Sequence, residues 1–328
     1  MSYISSMISD LKFSDKEFPT IIVNDGSITS LAQAQAWVKS NLTTLAKELS
    51  CTGAILFRGF PITDAQSYDA FFSSFDYANF TYNESLSNAV RINHTEYVFT
   101  ANEAPKEVEI YLHNEMAQTP IYPAHISLFC EKAAAVGGET AICSSASLYS
   151  ALLAAEPTLM NKLEQTGVKY TTIMPAENCS VSGQGRSWRG TLSVDTVEQA
   201  EDKLQKLGYS WQWAEDGSLK AQTAALPAIR EIDDGRKVFF NQIIASYMGW
   251  KGVKEAPDTA LCFGDDSSLS KDFLNTIVAL AESITFDVPW QDGDVALLDN
   301  NLSMHGRRPY SGDRKRKVLV ILGKTTAK

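Results

Sequence analysis

Residues 111–117, with the sequence YLHNEMA, constrain this chain more than any other segment, because they hold a histidine and a carboxylate two positions apart. In an extended strand successive side chains point to opposite faces, so His113 and Glu115 would project together while Asn114 points away. An imidazole nitrogen and a carboxylate oxygen held side by side can reach one metal ion. The tripeptide also occurs by chance on solvated strands, so its companions downstream decide its interpretation.

A second histidine, His305, lies between two apolar segments at 294–299 and 317–322, both of which we predict to be strands. Two histidines and one carboxylate on one face of a metal leave coordination positions open, which is the arrangement of non-haem Fe(II) oxygenases. Two further histidines are not assigned to metal. His94 is predicted to lie in a loop, and His125 is predicted to be a structural histidine on a strand with its hydrogen bonds satisfied.

Short strands of irregular spacing alternate with helices along the whole chain. We predict strands at 52–60, 97–99, 111–117, 124–130, 137–143, 211–213, 238–240, 294–299 and 317–322. We predict helices at 30–49, 64–75, 144–153, 157–165, 197–207 and 270–283. This pattern favours a mainly β, α+β fold with flanking helices around a β-sandwich or jelly roll. No repeat or linker divides the chain, so one domain over 1–328 is expected, with a helical and loop insert around 144–235.

The composition of the chain indicates which kinds of partner and which cellular compartment to expect. A net charge of −10 argues against nucleic acid or an anionic membrane as the main partner, so a small-molecule substrate is expected. The five cysteines are scattered without a C-x-x-C pair, which fits neither a disulfide framework nor a zinc site and indicates reduced thiols in a cytosol. No apolar run is long enough to span a bilayer. A cytoplasmic protein is predicted, and its oligomeric state is left open.

Two further features accompany the metal-binding pattern along the chain. Thr140 ends a Gly-Gly-Glu-Thr segment after the first histidine, and Arg316 opens the last predicted strand after His305. An arginine there would present a planar fork of donors suited to a carboxylate. Arg314, two positions earlier, would share the strand face of Arg316 and remains the alternative.

The ordered combination of H-x-E, G-G-E-T, a distant histidine and a strand-borne arginine resembles the taurine dioxygenase/TfdA group of Fe(II)- and 2-oxoglutarate-dependent dioxygenases, from about residue 52 to 322. Glu115 stands where many members of the group have aspartate, and in this respect the chain resembles the clavaminate synthase-like branch. The resemblance implies a double-stranded β-helix, cupin-like core. It further implies that His113, Glu115 and His305 hold the iron, and that Thr140 and Arg316 bind 2-oxoglutarate.

The resemblance also implies a reaction. With O₂, such an enzyme would oxidise an unactivated C–H bond of a small organic acid or amino-acid-like substrate by hydroxylation, desaturation or cyclisation, and release succinate and CO₂. Glu115 fills the position that halogenases leave open, so a halogenase is not expected. Val320 stands where taurine-type members carry a sulfonate-binding arginine, so taurine is not expected as the substrate. A metal-dependent non-oxidative enzyme and a 2-oxoglutarate-binding sensor are the alternative functions.

Several arginines could approach a substrate. Arg186 and Arg189 lie in a Gly- and Ser-rich segment at 175–190, which is predicted to be a mobile loop. As a lid they could meet an anionic substrate, while an ordinary exposed loop is an equal alternative. Arg307 and Arg308 follow the second histidine closely. They could also reach substrate, although a surface turn is the favoured prediction for this pair.

Overall fold

The computed structural model describes residues 12–13, 16–81, 85–87, 91–101, 104–178 and 186–324, with the backbone alone for 12, 13, 16 and 17. The middle of the predicted mobile segment, 179–185, lies outside the described residues, and so does Cys179. The other four cysteines are free thiols. Within the described ranges, no helix is both long enough and apolar enough to cross a membrane.

The described residues form eight α-helices. They are α1 (Leu31–Thr52), α2 (Ala65–Phe72), α3 (Ser145–Ala155), α4 (Pro157–Thr166), α5 (Trp188–Leu192), α6 (Val197–Lys206), α7 (Ile243–Gly249) and α8 (Lys271–Ser283). Helix α1 begins where the Ser30 hydroxyl accepts from the backbone N–H of Gln33, whose side chain in turn accepts from the N–H of Ser30. It ends at Gly53, whose φ of +81° turns the chain into the next strand.

The strands are short and belong mostly to two sheets. In chain order they are β1 (Lys12–Phe13), β2 (Lys16–Glu17), β3 (Thr20–Val23), β4 (Ala54–Arg58), β5 (Ala78–Asn79), β6 (Phe99–Thr100), β7 (Ile110–His113), β8 (His125–Lys132), β9 (Val136–Gly137), β10 (Thr140–Ser144), β11 (Val168–Met174), β12 (Ser210–Trp213), β13 (Leu219–Gln222), β14 (Ile229–Glu231), β15 (Lys237–Phe239), β16 (Leu261–Phe263), β17 (Thr285–Val288), β18 (Val295–Asp299), β19 (Ser303–Arg307), β20 (Tyr310–Ser311) and β21 (Lys317–Lys324). The larger sheet has the order β3-β4-β18-β8-β21-β5, with β6 also paired to β21, and the smaller has the order β17-β10-β19-β7.

The larger sheet is buried on both faces, and strand β21 shows why. Its side chains alternate, so Leu319 and Ile321 pack with helices α1 and α2, whereas Val318 and Val320 lie in the second core. In the smaller sheet, strand β10 contributes Ile142 to that same second core, and strand β17 contributes Phe286 and Val288. The two sheets therefore face each other across apolar side chains, while helices cover the outer face of the larger one. This mixture of strands and helices fits a cupin-like fold.

Between β10 and β17 the chain forms a further layer of helices and a sheet with the order β12-β13-β11-β16. Helices α3, α4, α7 and α8 share one apolar cluster there, and α5 and α6 pack in another. The single domain with an insert at 144–235 stays a prediction. The long periodic elements form within a few residues of their predicted limits. The short helices α5 and α7 and the parallel pairing of β3 with β4 were not predicted.

Candidate metal centre

His113 and His305 face each other across two neighbouring antiparallel strands. His113 is the last residue of β7 and His305 is the middle residue of β19, and the strand register pairs them directly. Their ring centroids lie 4.4 Å apart, with the ring planes inclined by 44°. Directly opposed residues in an antiparallel pair project from the same face of the sheet. Strand pairing alone therefore brings both imidazoles to one place.

Gly306 allows these two strands to approach. The register shifts between His305 and Arg307, so that Gly306 opposes both Tyr111 and Leu112 in a β-bulge. A Cβ on Gly306 would lie 2.4 Å from the carbonyl oxygen of Ile110. Any larger residue would push the strands apart and separate the two histidines.

Glu115 does not share a strand with His113, which corrects the prediction of an extended strand over 111–117. Strand β7 ends at His113, and the chain turns over 115–118, where Met116 adopts a φ of +59°. The turn still carries the carboxylate to the histidines. Glu115 Oε2 lies 3.6 Å from His113 Nε2 and 3.3 Å from His305 Nε2. One atom from each of the three side chains lies within 4.8 Å of the other two.

A buried network of amide side chains fixes this turn. The Asn300 side chain accepts a hydrogen bond from the N–H of Glu115 (2.7 Å) and donates to the carbonyl oxygens of Glu115 (3.0 Å) and Pro123 (2.8 Å). Asn114 Nδ2 donates to the carbonyl oxygen of Asn300 at 2.7 Å, and its Oδ1 accepts from the N–H of Asn241 at 3.0 Å. Both asparagines are fully buried. The residue between His113 and Glu115 thus anchors the turn to the chain before β19.

The hydrogen bonds of the histidines set which ring nitrogen is available. The Tyr111 carbonyl lies 2.8 Å from Nδ1 of His113, and because a carbonyl only accepts, Nδ1 carries the proton. The Nε2 lone pair of His113 therefore points at the Glu115 carboxylate and is available to a metal. The Nδ1 atom of His305 is buried without a hydrogen-bond partner in the described structure, and its Nε2 also faces Glu115.

Electrostatics favour the ionised carboxylate of Glu115 and the neutral imidazole of His305. Burial alone would raise the pKa of Glu115, but the His113 and His305 rings, through hydrogen bonds and positive charge in their protonated forms, hold that pKa well below its usual range. Burial lowers the pKa of His305, and the charge of His113 adds to the effect. An ionised carboxylate and two imidazole nitrogens form the donor set that suits Fe(II), so these residues fit the metal.

The three side chains open into a pocket of about 520 Å³, including its mouth. Its apolar wall consists of Ala101, Ile110, Leu128, Val318 and Val320. Among the described residues, the charged lining consists of three arginines, Arg91, Arg307 and Arg316, and one carboxylate, Glu115. Such a pocket favours anionic ligands.

The structure brings Arg316, and not Arg314, to the pocket. Arg316 precedes β21 and donates from Nε to the carbonyl oxygen of Gly138 at 2.8 Å. Burial, assisted by the charge of Arg307, lowers the pKa of Arg316 to about 10, which still leaves it charged at neutral pH. Arg314 is exposed and forms an ion pair with Asp292.

The Gly-Gly-Glu-Thr segment meets the same arginine. A Cβ on Gly138 would lie 2.9 Å from Cδ of Arg316, so glycine makes room for that side chain. Thr140, the first residue of β10, is buried in the pocket wall, and its hydroxyl accepts a hydrogen bond from Trp290 Nε1 at 3.0 Å. The hydroxyl proton of Thr140 is therefore directed elsewhere and is available to a ligand.

Arg307 is not in a surface turn, which corrects the favoured prediction for it. It belongs to β19 and is buried, and its guanidinium donates to the carbonyl oxygens of Ala104 (3.1 Å), Pro105 (2.7 Å) and Val108 (2.6 Å). The pKa of Arg307 is lowered by burial. Its role in the structure is to hold the segment before β7 against the pocket.

The remaining arginines predicted near substrate lie elsewhere. Arg186 donates to the carbonyl oxygen of Ser87 at 3.0 Å, and neither it nor Arg189 lines the pocket. Arg189 is exposed on helix α5 and stacks over the ring of Trp188, which is itself buried in an apolar cluster. Arg308 directly follows β19 and forms ion pairs with the acidic side chains of Glu109, Glu282 and Asp287.

Arg91 was missed by the sequence analysis, although it lines the pocket. It lies in the polar region before β7, where no periodicity or motif distinguishes one arginine from another. Only the pairing of the segment around 93 with β6 brings it to the sheet edge beside the pocket.

A histidine pair and a glutamate converging beside a cationic pocket, on a fold of two facing sheets, define the class of Fe(II)- and 2-oxoglutarate-dependent dioxygenases. The comparisons with known proteins give the family. The chain belongs to the taurine catabolism dioxygenase TauD, TfdA family, whose family model matches residues 25–322. Enzymes of this family use Fe(II), 2-oxoglutarate and O₂.

Three of the proteins to which this chain is similar are described by their identity and coverage. A clavaminate synthase-like protein of Arabidopsis thaliana is 33% identical over 318 residues, covering 95% of each chain. The dapdiamide synthesis protein DdaC of Enterobacter agglomerans is 25% identical over 285 residues, covering 83% of each chain. The crystal structure of a taurine dioxygenase from Burkholderia xenovorans superposes with a TM-score of 0.51 at 13% identity, covering 87% of this chain and 81% of that one, and shows a shared fold.

Proposed function

We propose that this protein oxidises an unactivated C–H bond of a small organic acid or amino-acid-like molecule, with His113, Glu115 and His305 as the iron ligands. The observation that carries the proposal is the convergence of three ligand atoms within 4.8 Å in a pocket that also holds the guanidinium of Arg316. When bound, iron and 2-oxoglutarate supply the oxidising chemistry, with succinate and CO₂ as the by-products. The residues of the chain bind the metal and the cosubstrate, orient the substrate and exclude water from the pocket.

Arg316 and Thr140 are proposed to bind 2-oxoglutarate. A guanidinium grips a carboxylate through two parallel hydrogen bonds, and Arg316 retains its terminal nitrogens for that purpose because its bond to Gly138 uses Nε alone. Thr140 would add a hydroxyl donor, since Trp290 already donates to its oxygen. Leu128 and Val318, on neighbouring strands of the wall, would exclude water from the bound cosubstrate.

The fold itself is proposed to be a double-stranded β-helix. The facing sheets and the apolar core between them support this architecture, with β7, β10, β19 and β21 carrying the site residues or the residues next to them. We further propose that the products contain no halogen, because the Glu115 carboxylate lies within 3.6 Å of both Nε2 atoms and would fill the coordination position that a halide needs. A cytoplasmic location and a small-molecule partner stay predictions.

Two measurements separate this function from its alternatives. Anaerobic addition of Fe(II) and 2-oxoglutarate should produce the weak visible metal-to-ligand charge-transfer band, which a metal-dependent non-oxidative enzyme would lack. Under O₂, a panel of small carboxylates and amino acids should stimulate succinate release if the protein is an oxygenase, whereas a 2-oxoglutarate sensor would bind without turnover. Mass spectrometry of turnover in excess chloride then checks the products, and a halogenated main product would contradict the role given to Glu115.

A further inference from the structure

Three arginines among the described residues line the pocket, and they come from three different parts of the fold. Arg316 lies just before β21, Arg307 lies within β19, and Arg91 lies before β6. The guanidinium of Arg307 is committed to the carbonyl oxygens of three residues at 104–108. Arg316 is the proposed partner of 2-oxoglutarate. Arg91 is the pocket cation to which the proposed function gives no task.

Backbone pairing determines where Arg91 enters the pocket. Strand β6 pairs with β21, and the N–H of Ala101 donates to the carbonyl oxygen of Val318 at 3.0 Å. On its other side β6 meets the preceding segment, through a bridge between Asn93 and Phe99 and a bond from the N–H of Thr100 to the Ile92 carbonyl at 2.9 Å. This antiparallel hairpin sets Arg91 across from Ala101, and both residues line the pocket.

Arg91 therefore reaches the pocket from a different wall than Arg316. Its backbone is two strand spacings from β21, roughly 10 Å, because neighbouring strands lie about 4.8 Å apart. The β21 side chains that face the pocket beyond Arg316 are Val318 and Val320, so that strand supplies no second cation.

We propose that Arg91 binds a carboxylate of the primary substrate and so determines specificity for acids over neutral molecules. The inference rests on the proposed function, in which Arg316 is occupied by 2-oxoglutarate. Ala101, Val318 and Val320 give the space beside Arg91 an apolar lining, which suits a short hydrocarbon segment next to the carboxylate. A guanidinium at this place would hold the acid end while the hydrocarbon segment lies towards His113, Glu115 and His305.

The test compares matched acids and amides in the anaerobic Fe(II) and 2-oxoglutarate complex. Butyrate and hexanoate, with butyramide and hexanamide as neutral controls, are titrated under saturating 2-oxoglutarate. Binding is followed by the change in the charge-transfer band and by calorimetry. In the unaltered protein each acid should bind about tenfold more tightly than its amide, the scale of a hydrogen bond to a charged group.

Substitutions of single arginines test which residue causes the preference for acids over amides. Arg91→Gln should remove it and leave the 2-oxoglutarate dissociation constant within about twofold, whereas Arg316→Gln should weaken 2-oxoglutarate by about tenfold or more. Arg314→Gln, which alters an exposed arginine paired with Asp292, is the matched control and should keep the preference. Arg91→Lys retains the charge without the paired donors, so it should bind the acids less tightly and the amides unchanged.

Three results would overturn the inference. They are equal binding of acids and amides by the unaltered protein, an acid preference of undiminished size in the folded Arg91→Gln and Arg91→Lys proteins, and a loss of 2-oxoglutarate binding in Arg91→Gln as large as in Arg316→Gln. Failure of the proposed function is distinguishable from these. In that case no charge-transfer band forms when Fe(II) and 2-oxoglutarate are added to the unaltered protein.

Discussion

Asn300 holds the backbone of Glu115 with both ends of its side-chain amide, accepting from the N–H at 2.7 Å and donating to the carbonyl oxygen at 3.0 Å. Asn300 follows β18 and precedes β19, the strand of His305. The two hydrogen bonds therefore tie the turn that carries the carboxylate to the segment that leads into the strand of the second histidine. Through this tie, residues far apart in sequence keep a fixed distance at the site.

Replacing Asn300 by Ala should loosen the site without removing any ligand. Buried polar groups of Glu115 and Pro123 would lose their partners, which should lower the free energy of unfolding by on the order of 3 kcal/mol. Fe(II) affinity should fall about 10- to 100-fold, the scale for residues that support metal ligands. Denaturant unfolding and metal titration measure the two effects. Asn41→Ala on α1 is the control, and equal Fe(II) affinity in both variants would contradict the role of Asn300.

Replacing His113, Glu115 or His305 singly by Ala should abolish stoichiometric Fe(II) binding and turnover while the fold is retained. Each side chain supplies one of three ligand atoms, and losing one leaves a site with too few donors. Metal titration, succinate release and circular dichroism on the three variants provide the measurement. His94→Ala, in a bend outside the pocket, serves as the control. Full activity in the Glu115→Ala protein would show that the ligand set is wrong.

Arg316→Lys should weaken 2-oxoglutarate much more than it weakens the primary substrate. Lysine keeps the charge but loses the paired donors, so the expected loss is about 1.5–3 kcal/mol. That loss corresponds to a rise of about 10- to 150-fold in the 2-oxoglutarate constant. Steady-state kinetics with each substrate varied in turn measure it. Arg314→Lys is the matched control, and the same loss there, with none in Arg316→Lys, would exchange the two assignments.

His125 should make the protein less stable in mild acid. Its ring stacks on Tyr77 with centroids 3.9 Å apart, and its Nδ1 atom has no hydrogen-bond partner among the described residues, which corrects the prediction of a fully satisfied histidine. Burial lowers the pKa of His125 to about 4. In the unfolded chain the His125 imidazole is protonated near pH 6.5, whereas in the folded protein it stays neutral until about pH 4. The free energy of unfolding therefore decreases as pH falls from about 6.5 towards 4.

Because of His125, the free energy of unfolding should be about 2 kcal/mol lower at pH 5 than at pH 8. His125→Phe and His125→Gln replace it with groups that do not titrate, so both variants should lack this part of the pH dependence. Urea unfolding of the three proteins at pH 5 and pH 8 measures the difference. Parallel pH profiles in all three proteins would show that the ring is protonated equally in both states.

The sequence by itself determined the family and predicted which residues would bind the metal. The H-x-E spacing, the Gly-Gly-Glu-Thr segment, His305 and the arginine before the last strand are local patterns, and their order along the chain was enough to recognise the family that the comparisons show. Long helices were equally readable, because apolar periodicity and a cap such as Ser30 act over neighbouring residues. The helices depend on contacts between residues close in sequence, and the family is recognised from short motifs and their order along the chain.

Only the tertiary structure decided how the site is assembled. Glu115 reaches His305 through a turn rather than a strand, because Asn300 holds that turn by hydrogen bonds to residues remote in sequence. Arg307 is buried rather than exposed because three carbonyl oxygens from another segment receive its guanidinium. Arg91 enters the pocket through the pairing of its hairpin with β21. Strand register and buried hydrogen bonds join segments that are far apart in sequence, and no local pattern in either segment predicts its partner. These contacts are therefore determined only when the chain folds.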